Sequence, residues 1–371
     1  MNKVINLLTA VVAVIMMNAC KGIRTQSEEK AVLTREVVVD TLFTNQFLPR
    51  GDGFTGGDGV YSVLLPDGRT VWIFGDSFIG NVTSDNRRIK TTPAYIRNSF
   101  VVIEEGQLIT FQQGKPSEFK SMMIPPEVAE GNLGYDEHRL WYWPGDGFVE
   151  NGNLNVFVSK FSQENLDDMW GFNFEGTELL TFSLPDFELL RVDRFNNLDS
   201  IHFGHAVLKT DAYTYVYGLK NQKPYAARTT KVTDRGLWEF YNGNDWVDTA
   251  EEAKPMLNFS GSEQFSFFEW KGTFVMIMQE GDLSNKIYSF TAETPYGPWS
   301  NQQLLYETPK LENCETCWSY NALAHPQFEE DDMLLISYNT NSMEMEDHYK
   351  NALIYRPRFI RVPMEMILSQ N

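Results

Sequence analysis

The chain reads as an all-β, five-bladed β-propeller, and three observations predict it. A polar residue opens a short apolar strand, a turn follows, and a second apolar strand returns, five times over. The openings fall at Asp58, Asp146, His205, Glu263 and His325, separated by 88, 59, 58 and 62 residues. Apolar positions alternate within these segments, Gly, Asn, Asp and Pro mark their ends, and no segment carries a long helical period. A repeat of about sixty residues suits a four-stranded blade, which must pack against neighbours to bury its faces.

The N-terminus comes first. Met1-Asn2-Lys3 is basic, and Val4 to Met17 is an apolar run shorter than a bilayer span. Asn18-Ala19-Cys20 then sets a small residue before a cysteine. Residues 1–20 are expected to be a bacterial lipoprotein signal, with cleavage before Cys20 and lipid on its sulfur. Met17 and Asn18 depart from the usual lipobox, so a plain secretory signal is the alternative. Residues 21–36 read as a polar tether, and 37–371 as a single propeller domain. This places the protein in the bacterial cell envelope, attached to membrane only through its lipid.

Val37-Val38-Val39 reads as a strand that closes the ring against the last blade. Copy one runs from Asp52 to Phe111, its first hairpin turning at Pro66-Asp67-Gly68-Arg69. Gln112 to Tyr142 accounts for the long first spacing and is expected to be an insertion at the channel mouth. Copies two, three and four turn at Asn151-Gly152-Asn153, Thr210-Asp211 and Lys271-Gly272, and copy five turns at Glu329 to Asp332. Cys314 and Cys317, the cysteines beyond Cys20, suit a local disulfide or free thiols rather than half of a metal site, which would lack a second pair.

Composition narrows the function. With 371 residues, 42% of them apolar, the chain can bury a large core. A net charge of −19 argues against binding nucleic acid or an anionic surface, since nothing would neutralise phosphates. There is no Gly-x-Ser-x-Gly elbow, no phosphate-binding glycine loop and no His-Glu-x-x-His motif, so no cofactor or metal is called for.

The first hairpin carries the strongest chemical signal. If its turn centres on Asp67, residues whose numbers sum to 134 face each other, and Asp58 and Asp76 are such a pair. Directly opposed residues hold their Cβ atoms about 4.5–5.5 Å apart. A two- or four-residue loop shifts that register by one, unless a bulge among Gly56, Gly57, Gly59 and Gly75 compensates; the same glycines leave room for substrate. Two close carboxylates repel, so one can hold a proton while the other stays ionised, the division a glycosidase uses. A separation of about 5–5.5 Å goes with retention of configuration. The other reading is that Asp-Gly and Gly-Asp only mark turn corners. Asp146, His205, Glu263 and His325 share the phase of Asp58 and are expected to line the mouth and bind substrate. Each alone could equally be a satisfied polar plug. Trp143 and Trp318 offer sugar platforms, and Arg97 a donor to hydroxyls or a carboxylate.

Gly57-Asp58-Gly59, Phe74-Gly75-Asp76-Ser77-Phe78, Tyr142-Trp143-Pro144-Gly145-Asp146-Gly147, Tyr296-Gly297-Pro298-Trp299 and Tyr320-Asn321-Ala322 through His325-Pro326 carry a resemblance. With these motifs the chain resembles a family of exported bacterial five-bladed propellers long described as a domain of unknown function, related to retaining endo-D-arabinanases. The resemblance implies that Asp58 and Asp76 are the catalytic carboxylates, without saying which is nucleophile. The expected function is hydrolysis of a furanose-containing, arabinan-like polysaccharide by a monomer. The competing reading is a carbohydrate-binding lipoprotein without chemistry.

Overall fold

The computed structural model describes residues 36–48, 53–91, 94–114, 118, 120–131, 136–168, 170–281 and 283–369. The signal, the lipidation site Cys20 and nearly all of the tether lie outside them. Glu36 to Asn371 forms one compact unit, a five-bladed β-propeller.

The chain enters through β1 (Val38–Val39) and α1 (Thr41–Gln46), the latter capped by the Asp40 carboxylate on the Phe43 amide. A short ribbon pairs β2 (Phe54–Gly57) with β5 (Ser77–Ile79). Between its strands runs the hairpin β3 (Tyr61–Leu64) and β4 (Thr70–Phe74), which with β6 (Ser99–Glu104) and β7 (Gln107–Phe111) makes the first blade. The second blade is β8 (Leu140–Glu150), β9 (Asn153–Gln163), β10 (Phe172–Phe182) and β11 (Leu189–Phe195). The third runs from β12 (His202–Lys209) through β13 (Thr214–Lys220), β14 (Lys223–Thr229) and β15 (Trp238–Tyr241) to β16 (Trp246–Val247). The fourth is β17 (Gly261–Trp270), β18 (Thr273–Glu280), β19 (Lys286–Ala292) and β20 (Ser300–Glu307). In the fifth, β21 (Cys317–Ala324), β22 (Met333–Ser342) and β23 (Pro357–Pro363) are completed by β1, with Val38 opposite Arg361. The N-terminal strand therefore closes the ring on the last blade, as the sequence suggested.

Pairing in every blade is antiparallel between consecutive strands. Tight turns join many of them. At Asn151-Gly152 and Lys271-Gly272 both turn residues have positive φ, the twist that a two-residue hairpin needs. Each gap between blades holds its own apolar cluster. Val63 and Ile73 meet Val156 between blades one and two, while Trp72 and Phe74 meet Leu335 and Phe359 between blades one and five. Phe203, Phe267 and Ile336 belong to the other three. This is why no blade stands alone: burial of its faces, at about 25 cal/mol per Å² of apolar surface, needs both neighbours.

The inner strands β8, β12, β17 and β21 share one irregularity. Their register slips between Pro144 and Gly147, Phe203 and Ala206, Gly261 and Phe265, and Tyr320 and Leu323. Each slip is a bulge at the same end of the sheet, and blade one breaks between Asp58 and Val60 at the equivalent height. The repeat is thus one irregularity per blade, carrying Asp58, Asp146, His205, Glu263 and Asn321.

That phase corrects one expectation. His325 does not open a strand; it follows the end of β21, and Pro326–Phe328 forms a 3-10 turn. Pro326 has no N–H to give a ladder, and the fifth hairpin loop spans 325–332, longer than the others. The length of that loop displaced the apparent repeat by four residues. Cys314 and Cys317 are joined as a disulfide.

Candidate functional site

The first hairpin holds the register that its turn dictates. Leu64 faces Thr70 and Tyr61 faces Ile73 in β3–β4, and beyond the break Gly57 faces Ser77 and Gly56 faces Phe78. All of these sums are 134, so the interrupted ladder brackets Asp58 directly opposite Asp76. Within the break the Gly75 amide donates to the Asp58 carbonyl at 2.7 Å, and Gly59 adopts a φ of +64°.

The glycines do not leave space for substrate; the protein's own atoms take it. A Cβ on Gly75 would lie 2.7 Å from Asp58 Oδ1, one on Gly56 2.0 Å from the Tyr355 carbonyl, and one on Gly59 2.9 Å from Gln264 Nε2. Glycine at 75 lets the Asp58 carboxylate lie flat across the opposite strand.

The two carboxylates have different companions. Asp58 accepts hydrogen bonds from the Tyr320 hydroxyl, at 2.5 Å, and from the Tyr355 hydroxyl. Burial first, and then the charge of Asp76, push its pKa up to about 7 against those donors. Asp76 accepts from Trp143 Nε1 at 3.0 Å and pairs with Arg97 Nη1 at 3.5 Å. Burial raises its pKa as well, while Arg97, Trp143 and the charge of His138 favour its anion. Asp76 keeps 20% of its side chain open.

Of the sequence candidates, Arg97 and Trp143 meet at Asp76. The Arg97 guanidinium lies 4.0 Å from the Trp141 ring and donates from Nε to the Glu137 carbonyl at 3.1 Å. Trp143 packs among Trp141, Phe161 and Phe172, so its indole N–H, rather than an open face, points to the site. Trp318 stands near Tyr320, with ring centroids 6.0 Å apart, and its Nε1 is buried without a partner. Asp146 accepts from the Gly147 amide and the Val207 amide, each at 2.8 Å, tying blade two to blade three. Burial raises its pKa to about 7.

His205 and Glu263 belong to a second cluster with His202. His202 Nδ1 is 2.8 Å and His205 Nε2 3.2 Å from the same Glu263 oxygen. Burial works against the Glu263 charge, but the two imidazoles hold its carboxyl well below the usual range. His325 is elsewhere. It is fully buried, its Nδ1 meeting Ser62 Oγ at 2.6 Å and its Nε2 meeting Ser337 Oγ at 2.8 Å. It is a structural plug between the fifth and first blades, not a mouth residue.

Sequence reasoning missed Tyr95, Tyr320, Tyr355 and His202. Tyr355 comes from the segment that links β22 to β23, which also carries α2 (Met345–Lys350). Charge from Asp76, followed by burial, pushes the Tyr95 hydroxyl up to about 12. Tyr320 had a signal, since it opens the Tyr-Asn-Ala bulge of the last blade. Tyr355 had none. Between β7 and β8, the Glu137 carbonyl accepts from Arg97 Nε and its carboxylate accepts from the Ser121 amide, which backs Arg97 at the site.

Among solved structures, a protein of Bacteroides ovatus described as "a putative hydrolase" is similar over 88% of this chain and 90% of its own, with 23% identity and a TM-score of 0.74. That likeness is one of fold. A xylan β-1,4-xylosidase from Bacillus halodurans is matched over 86% of this chain and 54% of its own, at 9% identity and a TM-score of 0.48. An α-L-arabinofuranosidase from Podospora anserina is matched over 85% and 94%, at 11% and 0.45. No curated protein matches the sequence. Residues 40–365 match the model of the family described as Domain of unknown function (DUF5005), and the chain belongs to that family.

Proposed function

We propose that this protein is a glycoside hydrolase in which Asp58 and Asp76 carry the chemistry. The observation that supports it is the unequal pair: two carboxylates opposed across one hairpin, one under tyrosine hydroxyls and the other under a guanidinium and an indole N–H. With a pKa near 7, Asp58 keeps its proton on a large share of molecules at neutral pH, while Arg97 and Trp143 oppose the rise that burial gives Asp76 and favour its anion. Asp58 is the general acid and Asp76 the nucleophile.

In the first step Asp76 attacks the anomeric carbon as Asp58 gives its proton to the departing glycosidic oxygen. The product is a glycosyl ester on Asp76 and a free alcohol. Asp58, now ionised, takes a proton from water, which opens the ester and restores both carboxyl groups. Configuration is retained. Arg97 and Trp143 hold Asp76 in place for attack, and Tyr320 and Tyr355 hold Asp58. The substrate class is a furanose-containing, arabinan-like polysaccharide, supported by the resemblance of the hairpin motifs to retaining endo-D-arabinanases. From the sequence of the first twenty residues, we also place the protein on a bacterial envelope membrane, acylated at Cys20; radiolabelled palmitate on the wild type but not on Cys20→Ala is the expected outcome.

Release of reducing ends from a polysaccharide panel tests the hydrolytic reading. The wild type is expected to cleave an arabinan, and Asp58→Asn and Asp76→Asn to lose about 10²- to 10⁴-fold in kcat with the fold intact by circular dichroism. Unchanged rates in folded variants would overturn the roles. A wild type that binds the panel and cleaves none of it would replace the enzyme with a carbohydrate-binding protein.

A further inference from the structure

We propose that His202, His205 and Glu263 form a binding site for one first-row divalent metal ion, zinc in the first instance, at the mouth of the channel. The site is distinct from the carboxylate pair, and its assignment does not depend on hydrolysis.

The donors converge. One ligand atom from each residue lies within 4.8 Å of the others, and Glu263 Oε1 is 2.8 Å from His202 Nδ1 and 3.2 Å from His205 Nε2. Ligands about 2.0–2.2 Å from a tetrahedral zinc stand about 3.4 Å from one another, so small side-chain shifts seat the ion.

The backbone is bent to achieve this convergence. Residues three apart on a regular strand point to opposite faces. The β12 bulge between Phe203 and Ala206 cancels that alternation, and the two imidazoles lie with centroids 6.2 Å apart, tilted by 37°. Gly204 makes the bulge, with a φ of +101° and no room for a side chain: a Cβ there would lie 2.4 Å from Phe157. Phe174 stacks on His202 at 3.7 Å and fixes its plane.

His205 supplies the independent observation. It is 4% exposed, its Nδ1 has no hydrogen-bond partner, and its Nε2 stands 3.2 Å from Glu263 Oε1. Its Nε2 lies near Glu263 Oε1 but is not aligned to donate to it. An ion pair with Glu263 engages His202 Nδ1 well and His205 Nε2 only out of line, and leaves the buried His205 Nδ1 with nothing. Burying an imidazole nitrogen without a good partner is costly, and a metal bond gives one of the two a strong one. Two imidazoles and one carboxylate suit zinc, cobalt or nickel rather than calcium or magnesium, which take oxygen donors. Glu263 keeps 52% of its side chain open, which leaves coordination positions for water or a sugar hydroxyl.

The test uses the untagged full chain, stripped with chelator and titrated with Zn²⁺ by calorimetry and with Co²⁺ by visible absorption. One equivalent is expected, with the intense d–d bands of a four- or five-coordinate site and a rise in Tm on adding Zn²⁺. Glu263→Gln and His205→Asn should each weaken Zn²⁺ at least about tenfold. Glu263→Gln changes a half-open side chain, so its fold is expected to survive; should His205→Asn misfold, Glu263→Gln and the wild-type Co²⁺ spectrum decide. No binding by the wild type, equal binding by folded Glu263→Gln, or preference for Ca²⁺ over Zn²⁺ would overturn the assignment.

Discussion

His205 and His325 look alike in the sequence, each a histidine spaced to open a unit of one repeat. In the structure both are buried, at 4% and 0% exposure, yet one belongs to a candidate site and the other to the core. Hydrogen-bonding capacity separates them. His325 uses both nitrogens, one on Ser62 and one on Ser337, and burial lowers its pKa to about 3, so it stays neutral. His205 leaves Nδ1 without a partner and sets Nε2 3.2 Å from Glu263 Oε1, out of line for a good hydrogen bond. A buried polar residue marks a site when its donors and acceptors are left over, and marks architecture when they are consumed.

Removing each histidine should expose that difference most strongly in stability. His325→Ala leaves a cavity among Trp72, Phe328 and Phe359 and strands two serine hydroxyls, at a cost of about 3–5 kcal/mol in urea unfolding. His205→Ala loses only the 3.2 Å pairing with half-open Glu263 and should cost about 1–2 kcal/mol. Equal losses would erase the distinction. The next largest effect belongs to Gly204→Ala, which forces a side chain onto Phe157 at positive φ and should cost about 2–3 kcal/mol by the same measurement. It should also part His205 from His202, so a variant that keeps full stability would mean that the bulge is not what aims His205.

The architecture was legible because its signals are local. Alternation in Thr70–Phe74, the Asn151-Gly152 and Lys271-Gly272 turns and the closing strand Val38–Val39 each follow from residues a few positions apart. The Asp58–Asp76 opposition was legible for the same reason, as a consequence of one turn and a count to 134. Companions of that pair were not. Tyr320 and Tyr355 reach Asp58 from 262 and 297 residues away, and only ring closure brings them there. His325 misled because the register of a repeat is set by bulges and loop lengths, which a spacing of about sixty residues does not resolve. His202 is not legible from the sequence because strand alternation turns it away from His205; the Gly204 bulge reverses that.

Titration separates the same two kinds of residue with a smaller effect. Asp58 has its pKa raised from 3.8 to about 7. Between those values the folded state holds a proton that the unfolded state has released, so stability falls as pH rises through the window. His325 acts oppositely: between about 3 and 6.5 the unfolded state binds the extra proton, and stability rises with pH. Asp58→Asn removes the first contribution and keeps the acceptor for the tyrosines. Its gain in stability over the wild type should grow from pH 4 to pH 7 and then level, reaching on the order of 1–3 kcal/mol. A gain that does not change with pH would mean that Asp58 titrates normally.

Tyr320→Phe should give the smallest change and the finest one, because Asp58 stands between the two histidines in character: partly satisfied, partly open. The Tyr320 hydroxyl donates to Asp58 and in turn accepts from Asn341 Nδ2 at 3.0 Å, while His348 Nε2 meets Asn341 Oδ1 at 2.8 Å. Burial pushes the pKa of His348 down to about 4, so its imidazole is neutral at pH 7 and the relay delivers oriented dipoles rather than charge. Its effect on Asp58 is to stabilise the carboxylate against burial and against Asp76. Deleting the hydroxyl removes that support, so the Asp58 pKa moves above about 7, read by carbon-13 NMR of the labelled carboxyl group without any assay of activity. Stability should change by only about 1 kcal/mol, since the phenyl ring remains. Where hydrolysis is measurable, its alkaline limb should move to higher pH with the same sign, because a general acid that holds its proton longer stays competent longer. An Asp58 that titrates at the same pH or lower in the variant would place its control in burial and Asp76 alone, and would leave the tyrosine as packing, which is the role His325 already fills one strand end away.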